Sequence, residues 1–313
     1  MTSAVVFAYH DVGVRCLLTL LARGIDVPLV ITHPDHPAET IWFDSVAETA
    51  TEHGIPVSMP NDANDAALFD AVAKLRPDFI FSFYYRHMLP AGLLALATRG
   101  AYNMHGSLLP KYRGRVPVNW AVLHGETETG ATLHEMAAKP DAGAIVAQTT
   151  VPILPDDMAL QVFEKVTVAA EQTLWRVLPA LVDGSAPRLP NHLSRGSYFG
   201  GRKPADGRID WTQPAQRVYN LVRAVAPPWP GAFCDLTTRD GPKRLIVAAA
   251  RLGDALPVRM PELKSGDVKR GLSVADNRAF GICGDGRALA ITRLLCDGAD
   301  ISTGELAALL RSQ

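Results

Sequence analysis

Strand-length apolar runs alternate with helical repeats from residue 4 to residue 105, and few folds accept that order. Residues 4–9 (AVVFAY) form the first run. Cys16, Leu17, Leu20 and Leu21 then recur at helical spacing before Gly24, a residue suited to ending a helix. Residues 27–32 return to strand, 43–53 and 65–75 read as helices, and 78–83 reads as a buried strand, with a short edge segment at 55–57. This order predicts an α/β fold: a Rossmann-like, doubly wound, mostly parallel sheet with helices on both faces. Such sheets bind ligands beyond the carboxyl ends of their strands. The run 101–105 (AYNMH) is a further strand, and Asn103 and His105 alternate at its end. Alternate strand residues share a face, so both side chains can reach one centre.

A long helix over about 156–182 closes a first domain at residues 1–190, and the Pro- and Gly-punctuated stretch 191–207 reads as a linker. From 208 to 313 the texture changes to short apolar runs at 232–236, 244–249, 272–275, 279–283 and 289–294. Glycines and charged turns separate them, the pattern of a small OB-like β-barrel domain. Ser302-Thr303-Gly304-Glu305 has the form of a capping box opening a last helix.

The chain has 313 residues and a formal net charge of −1, so no global field recruits nucleic acid, whose binding rests on neutralised phosphates. Cys16, Cys234, Cys283 and Cys296 are scattered with no CxxC pair, which fits a reducing cytoplasm and suggests no zinc site. No basic segment precedes the first apolar run and no run approaches a membrane span, so a cytoplasmic protein without a signal peptide is expected. The first strand-to-helix turn, Tyr9-His10-Asp11-Val12-Gly13-Val14, has one glycine where a dinucleotide site requires three. No nicotinamide cofactor is expected. His33 and His36 are separated by Pro34 and lack a third ligand, so no metal is expected there either.

The densest chemistry lies in Asn103-Met104-His105-Gly106-Ser107-Leu108-Leu109-Pro110-Lys111-Tyr112-Arg113-Gly114, followed by Asp141-Ala142-Gly143. Acyl transfer to an amine needs a donor for the developing oxyanion, a proton carrier and a group that orients that carrier. The Asn103 amide suits the first role. His105 titrates near neutrality and suits the second. Asp141 can orient the imidazole and favour its charged form. Leu109–Pro110 is a candidate cis bond.

Asn-x-His-Gly-Ser-Leu-Leu-Pro with the following Arg-Gly resembles the signature of folate-dependent formyltransferases. The run His105 to Trp120, the opening VVFAYHD, the segment Phe81-Ser82-Phe83-Tyr84-Tyr85-Arg86-His87, Arg223-Ala224-Val225-Ala226 and Trp229-Pro230-Gly231-Ala232-Phe233 are similar to one branch. That branch formylates UDP-4-amino-4-deoxy-L-arabinose on the route to modified lipid A and cationic-peptide resistance. The resemblance implies the same roles for Asn103, His105 and Asp141, with 10-formyltetrahydrofolate as co-substrate. It places the folate against His87, Met88 and Leu89 and against Ala137, Ala138, Lys139 and Pro140. Pro140 stands where the resemblance expects alanine, and having no N–H it removes any folate contact through that amide. For the acceptor the resemblance points to Arg115, Arg202, Lys203 and Trp229, the cations suiting a pyrophosphate.

A methionyl-tRNA formyltransferase would share the triplet but carry a basic loop after the second strand. Residues 32–41 (THPDHPAETI) contain two acids and no Lys or Arg. Another nucleotide-amino-sugar formyltransferase, a formyltetrahydrofolate hydrolase and a non-catalytic small-molecule sensor are the remaining alternatives. A sensor has no need of all three catalytic groups.

Overall fold

A computed structural model describes residues 1–37, 39–239, 241–252 and 270–312. Residue 38 of the acidic loop and residues 253–269 of the C-terminal region lie outside the described residues. The chain divides into two units. The first holds Met1–Pro117, Glu128–Pro152 and Phe163–Gly201, and the second Val118–Thr127, Ile153–Val162 and Arg202–Gln313. Two segments from before residue 190 therefore belong to the second unit.

The first unit follows the alternation in the sequence: β1 (Ser3–Ala8), α1 (His10–Ala22), β2 (Asp26–Ile31), α2 (Val46–Glu52), β3 (Val57–Ser58), α3 (Ala66–Leu75), β4 (Phe79–Phe83), α4 (Ala91–Leu94) and β5 (Gly100–His105). Helix α2 starts later than its apolar pattern suggests. Ser45 Oγ accepts the Glu48 N–H and caps it, while Trp42 and Phe43 instead pack their rings on His10. Helix α3 starts where Asp65 accepts the Ala67 N–H.

Beyond β5 come β6 (Arg113–Gly114), α5 (Pro117–His124), β7 (Glu128–Glu135), β8 (Ile145–Pro152), α6 (Ala159–Asp183) and β9 (Tyr198–Phe199). The main sheet has the order β3-β2-β1-β4-β5-β7-β8. Pairing is parallel from β3 through β5, and β7 and β8 add antiparallel strands at the far edge. This is the expected mostly parallel Rossmann-like sheet. Val5, Phe7 and Ile80 pack with Leu68, Val72 and Leu93 in one apolar cluster, all almost fully buried. Each such side chain contributes about 1.5–3 kcal/mol relative to exposure.

The second unit contains α7 (Ala215–Val225), β10 (Ala232–Thr238), β11 (Gly241–Leu252), β12 (Gly271–Ala275), β13 (Arg278–Ile282), β14 (Ala288–Cys296), β15 (Ala299–Asp300) and α8 (Thr303–Arg311). Its strands pair antiparallel in the order β10-β11-β14-β13-β12, with β15 on β14. Irregular register in β11 at Val247–Ala250 curls the sheet into a half-barrel, the form its short strand runs suggest. Helix α7 was not anticipated. Gln216, Arg217 and Asn220 interrupt its sequence, but Ala215, Val218, Tyr219 and Val222 line a buried helical face. Ser302 and Glu305 form the expected capping box at α8.

Candidate active site

Strand β5 delivers Asn103 and His105 to its carboxyl end, and antiparallel β7 lies against it in the register Asn103↔His134 and His105↔Thr132. Cross-strand partners share a face, so His134 stands beside Asn103. Asn103 Nδ2 lies 3.1 Å from His134 Nε2. Asp141 reaches the same place from the loop after β7. Its Oδ1 is 3.4 Å from His134 Nε2 and 3.6 Å from His105 Nδ1, and its Oδ2 accepts the Gly114 N–H at 2.7 Å. The three residues singled out in the sequence thus converge, joined by His134, which sequence reasoning missed.

The turn that carries Asp141 is fixed by backbone. Asp141 has φ +48, and a Cβ at Gly143 would lie 2.0 Å from the Glu135 carbonyl oxygen, so glycine permits the close approach of the two segments. Asn191 Nδ2 donates to the Asp141 and Gly143 carbonyls at 3.0 and 3.1 Å. Below the triplet, Thr132 Oγ1 donates to the Ser107 carbonyl and accepts from Leu109 N–H and Gln148 Nε2, which ties the Ser107–Pro110 loop to β7. The Leu109–Pro110 bond is cis.

His105 is 6% exposed and both ring nitrogens are engaged. The Tyr112 carbonyl at 2.8 Å can only accept, so Nε2 carries the hydrogen, and Nδ1 faces Asp141. Burial lowers the His105 pKa, against Asp141 and the Tyr112 carbonyl, which favour the charged ring. Burial also opposes the Asp141 charge, but its neighbours, His105 first among them, outweigh it and hold the carboxyl well below its usual range. The two directions concern one proton: an imidazolium at His105 supports Asp141, while burial works against that imidazolium. The Gly114 N–H stabilises the carboxylate in either state of the ring.

His87, Met88 and Leu89 follow β4; His87 and Met88 are exposed and Leu89 is buried. Ala137, Ala138 and Lys139 are exposed and Pro140 is half-buried on the loop after β7. Leu89 and Met136 pack in the same apolar cluster, so the bases of the two segments meet there. His33 stacks on Tyr85 at 4.1 Å, and its Nε2 accepts the Arg86 N–H. Burial, then the nearby His87 and Arg86, lower its pKa to about 4. Among the described residues no group of three or more His, Cys, Asp or Glu could hold a metal ion.

In the first unit Arg115 is exposed, and a Cβ on Gly201 would lie 3.7 Å from its side chain. In the second, Arg202 sits 4.8 Å over the Trp120 ring and donates to the Asp206 carbonyl, its Nε buried without a partner. Lys203 is exposed and Trp229 half-buried. Neither the Arg202–Trp120 stacking nor the role of the Tyr112 carbonyl has a local sequence signal.

A family model described as formyl transferase matches residues 7–178, and one described as its C-terminal domain matches residues 202–306. An N-formyltransferase from Helicobacter canadensis, solved with folinic acid and dTDP-3-aminofucose, is similar in fold. It shows 17% identity and a TM-score of 0.70 over 93% of this chain and 99% of that one. A sugar N-formyltransferase from Shewanella gives 19% identity and 0.61 over 77% and 94%. HypX from Aquifex aeolicus with tetrahydrofolic acid gives 19% and 0.63 over 97% of this chain and 46% of that one, so the chain spans about half of it.

Proposed function

We propose a function from one premise: the chain belongs to the formyl transferase family. It moves a formyl group from 10-formyltetrahydrofolate to the 4-amino group of UDP-4-amino-4-deoxy-L-arabinose, a cytoplasmic step toward lipid A modification. The observation that carries the reading is the convergence of Asn103, His105 and Asp141 at the carboxyl end of β5. The neutral amine attacks the formyl carbon, and Asn103 donates to the oxyanion that forms. Such a donor is worth about 3 kcal/mol. His105 takes the amine proton and returns it to the leaving folate nitrogen as the carbon–nitrogen bond breaks. Uptake at Nε2 requires the ring to carry its hydrogen on Nδ1, toward Asp141, and to release the Tyr112 carbonyl so that the Nε2 lone pair meets the amine. Asp141 supports the imidazolium meanwhile.

His87–Leu89 and Ala137–Pro140 are the segments assigned to the folate, and Arg115, Arg202, Lys203 and Trp229 those assigned to the nucleotide sugar. The acids after β2 argue against tRNA. Asp35 accepts from Tyr9 Oη and Glu39 pairs with Arg86, so this loop spends its charge internally. A second reading, another nucleotide-linked amino sugar, is favoured by the dTDP-3-aminofucose of the Helicobacter canadensis relative.

A formylation assay with 10-formyltetrahydrofolate tests these readings, offering UDP-4-amino-4-deoxy-L-arabinose, dTDP-3-aminofucose or methionyl-tRNA. Product from the UDP sugar supports the first reading, and product from the dTDP sugar alone replaces it with the second. Formylated tRNA refutes both. Formate release with no acceptor consumed identifies a hydrolase.

A further inference from the structure

His134 is 2% exposed, on the strand facing Asn103, and takes no part in the mechanism above. Its Nδ1 lies 2.8 Å from the carbonyl oxygen of Glu135. A carbonyl only accepts, so Nδ1 carries the hydrogen, and in the neutral ring Nε2 is left as a lone pair. Asn103 Nδ2 is 3.1 Å from that lone pair, whereas Asp141 Oδ1 at 3.4 Å lies beyond the usual range for an N–H···O bond. Among the described residues His134 is the hydrogen-bond partner of the Asn103 side chain.

An amide has a donor end and an acceptor end, and only the donor end can meet a lone pair. We propose that His134 is a positioning residue that sets the Asn103 amide end for end. Held as the Nδ1–H tautomer by Glu135, it accepts one N–H of Asn103 and leaves the second for the oxyanion. The opposite tautomer, with hydrogen on Nε2, would attract the Asn103 carbonyl oxygen. The amide would then turn, with its lone pairs set against the developing negative charge. This rests on the reading of Asn103 as the oxyanion donor.

The test begins with the resting wild-type protein, uniformly labelled with 15N-histidine, using long-range 1H–15N correlation of the ring nitrogens. The His134 signals are identified by their loss in His134→Gln. The expected pattern is a protonated Nδ1 and an unprotonated Nε2. A hydrogen on Nε2, in either a neutral or a doubly protonated ring, overturns the proposal. This measurement needs no turnover, so it stands or falls separately from the formyl-transfer reading.

The second arm is kinetic. His134→Ala is expected to lose on the order of 100-fold in kcat, within the range for one oxyanion donor. KM for both substrates should stay within about twofold, since uniform binding is untouched. Asn103→Ala combined with His134→Ala should be no slower than Asn103→Ala alone, because both act through one amide. Losses that multiply would overturn the proposal. If His134→Ala does not fold, the tautomer in the wild-type protein decides the matter alone.

Discussion

Gly106, directly after His105, offers a quantitative test of how this site is packed. A Cβ there would lie 1.9 Å from Tyr84 Oη, 3.0 Å from Tyr84 Cζ and 3.5 Å from Pro117 Cγ. Gly106 is not among the positive-φ residues, so alanine meets a steric obstacle and no backbone strain. Contacts become ordinary at 3.4 Å, so the hydroxyl would have to move by 3.4 − 1.9 = 1.5 Å. The Tyr84 ring sits edge-on to Phe163 at 5.7 Å and has little room to do so. Overpacking of this kind costs about 1–3 kcal/mol, and about 2 is expected for Gly106→Ala. The Tyr84 hydroxyl is itself buried without a partner. Tyr84→Phe should therefore gain up to about 1 kcal/mol, the low end of the cost of an unsatisfied group. With phenylalanine the nearest atom is the ring carbon at 3.0 Å, and the needed shift falls to 3.4 − 3.0 = 0.4 Å. The double variant should be about as stable as wild type, a coupling of about 1–2 kcal/mol. Urea denaturation of the four proteins measures it, and thermal midpoints should follow at about 2–4 °C per kcal/mol. Additivity within about 0.5 kcal/mol would refute the contact.

Three further predictions concern the site and its frame. His105→Ala should lose about 100- to 10,000-fold in kcat while its circular dichroism stays near wild type; wild-type rates in a folded variant would remove His105 from the mechanism. Asp141→Asn removes a charge that raises the His105 pKa, so the acidic limb of the pH–rate profile should move to lower pH. It should also destabilise the protein at neutral pH. The folded Asp141 titrates below its ordinary value of 3.8, so its contribution is fully present above that value and is lost as pH falls through the folded pKa. The difference from wild type should therefore shrink below about pH 4; a constant difference in urea midpoints would contradict it. Ser302→Ala removes the side chain that accepts the Glu305 N–H at the start of α8, and about 1 kcal/mol of stability should go with it in the same assay.

The legible parts of the site are those whose geometry is local in sequence. Asn103 and His105 share a face because strand residues alternate, and Asp141-Ala142-Gly143 reads as a turn from its residue types. His134 was not legible. Its place beside Asn103 depends on antiparallel pairing across 31 residues and on a register that alternation in either strand leaves open. The Tyr112 carbonyl is hidden for another reason: it is backbone, aimed by a residue at φ +56. The same distinction holds for the fold. The parallel strands β1, β2 and β4 are near-continuous apolar runs and declare themselves. Helix α7 carries buried Asn220 and Arg223 on its inner side, which breaks the apolar repeat that would announce it. Arg223 donates to Asn220 Oδ1 and to the Asp157 carbonyl, bonds that exist only once the second unit is assembled.

The division of labour within Asp141 explains why one carboxylate can serve this site. Its two oxygens have different partners: Oδ2 is bonded to the Gly114 N–H, while Oδ1 looks toward both imidazoles at 3.4 and 3.6 Å. The first bond is short and charge-assisted and is present in either state of the imidazole, so it fixes the carboxylate. The second oxygen stays in looser contact and can answer a charge that appears and disappears. In the proposed mechanism, where His105 takes up a proton, Oδ1 is already beside Nδ1 and needs no reorganisation, which is the condition for electrostatic support of a transition state. His134 cannot compete for that oxygen while its Nε2 hydrogen is absent and its lone pair is held by Asn103. In the mechanism proposed above, the same tautomer serves both ends of the reaction, keeping the amide turned toward the oxyanion and leaving Asp141 to His105.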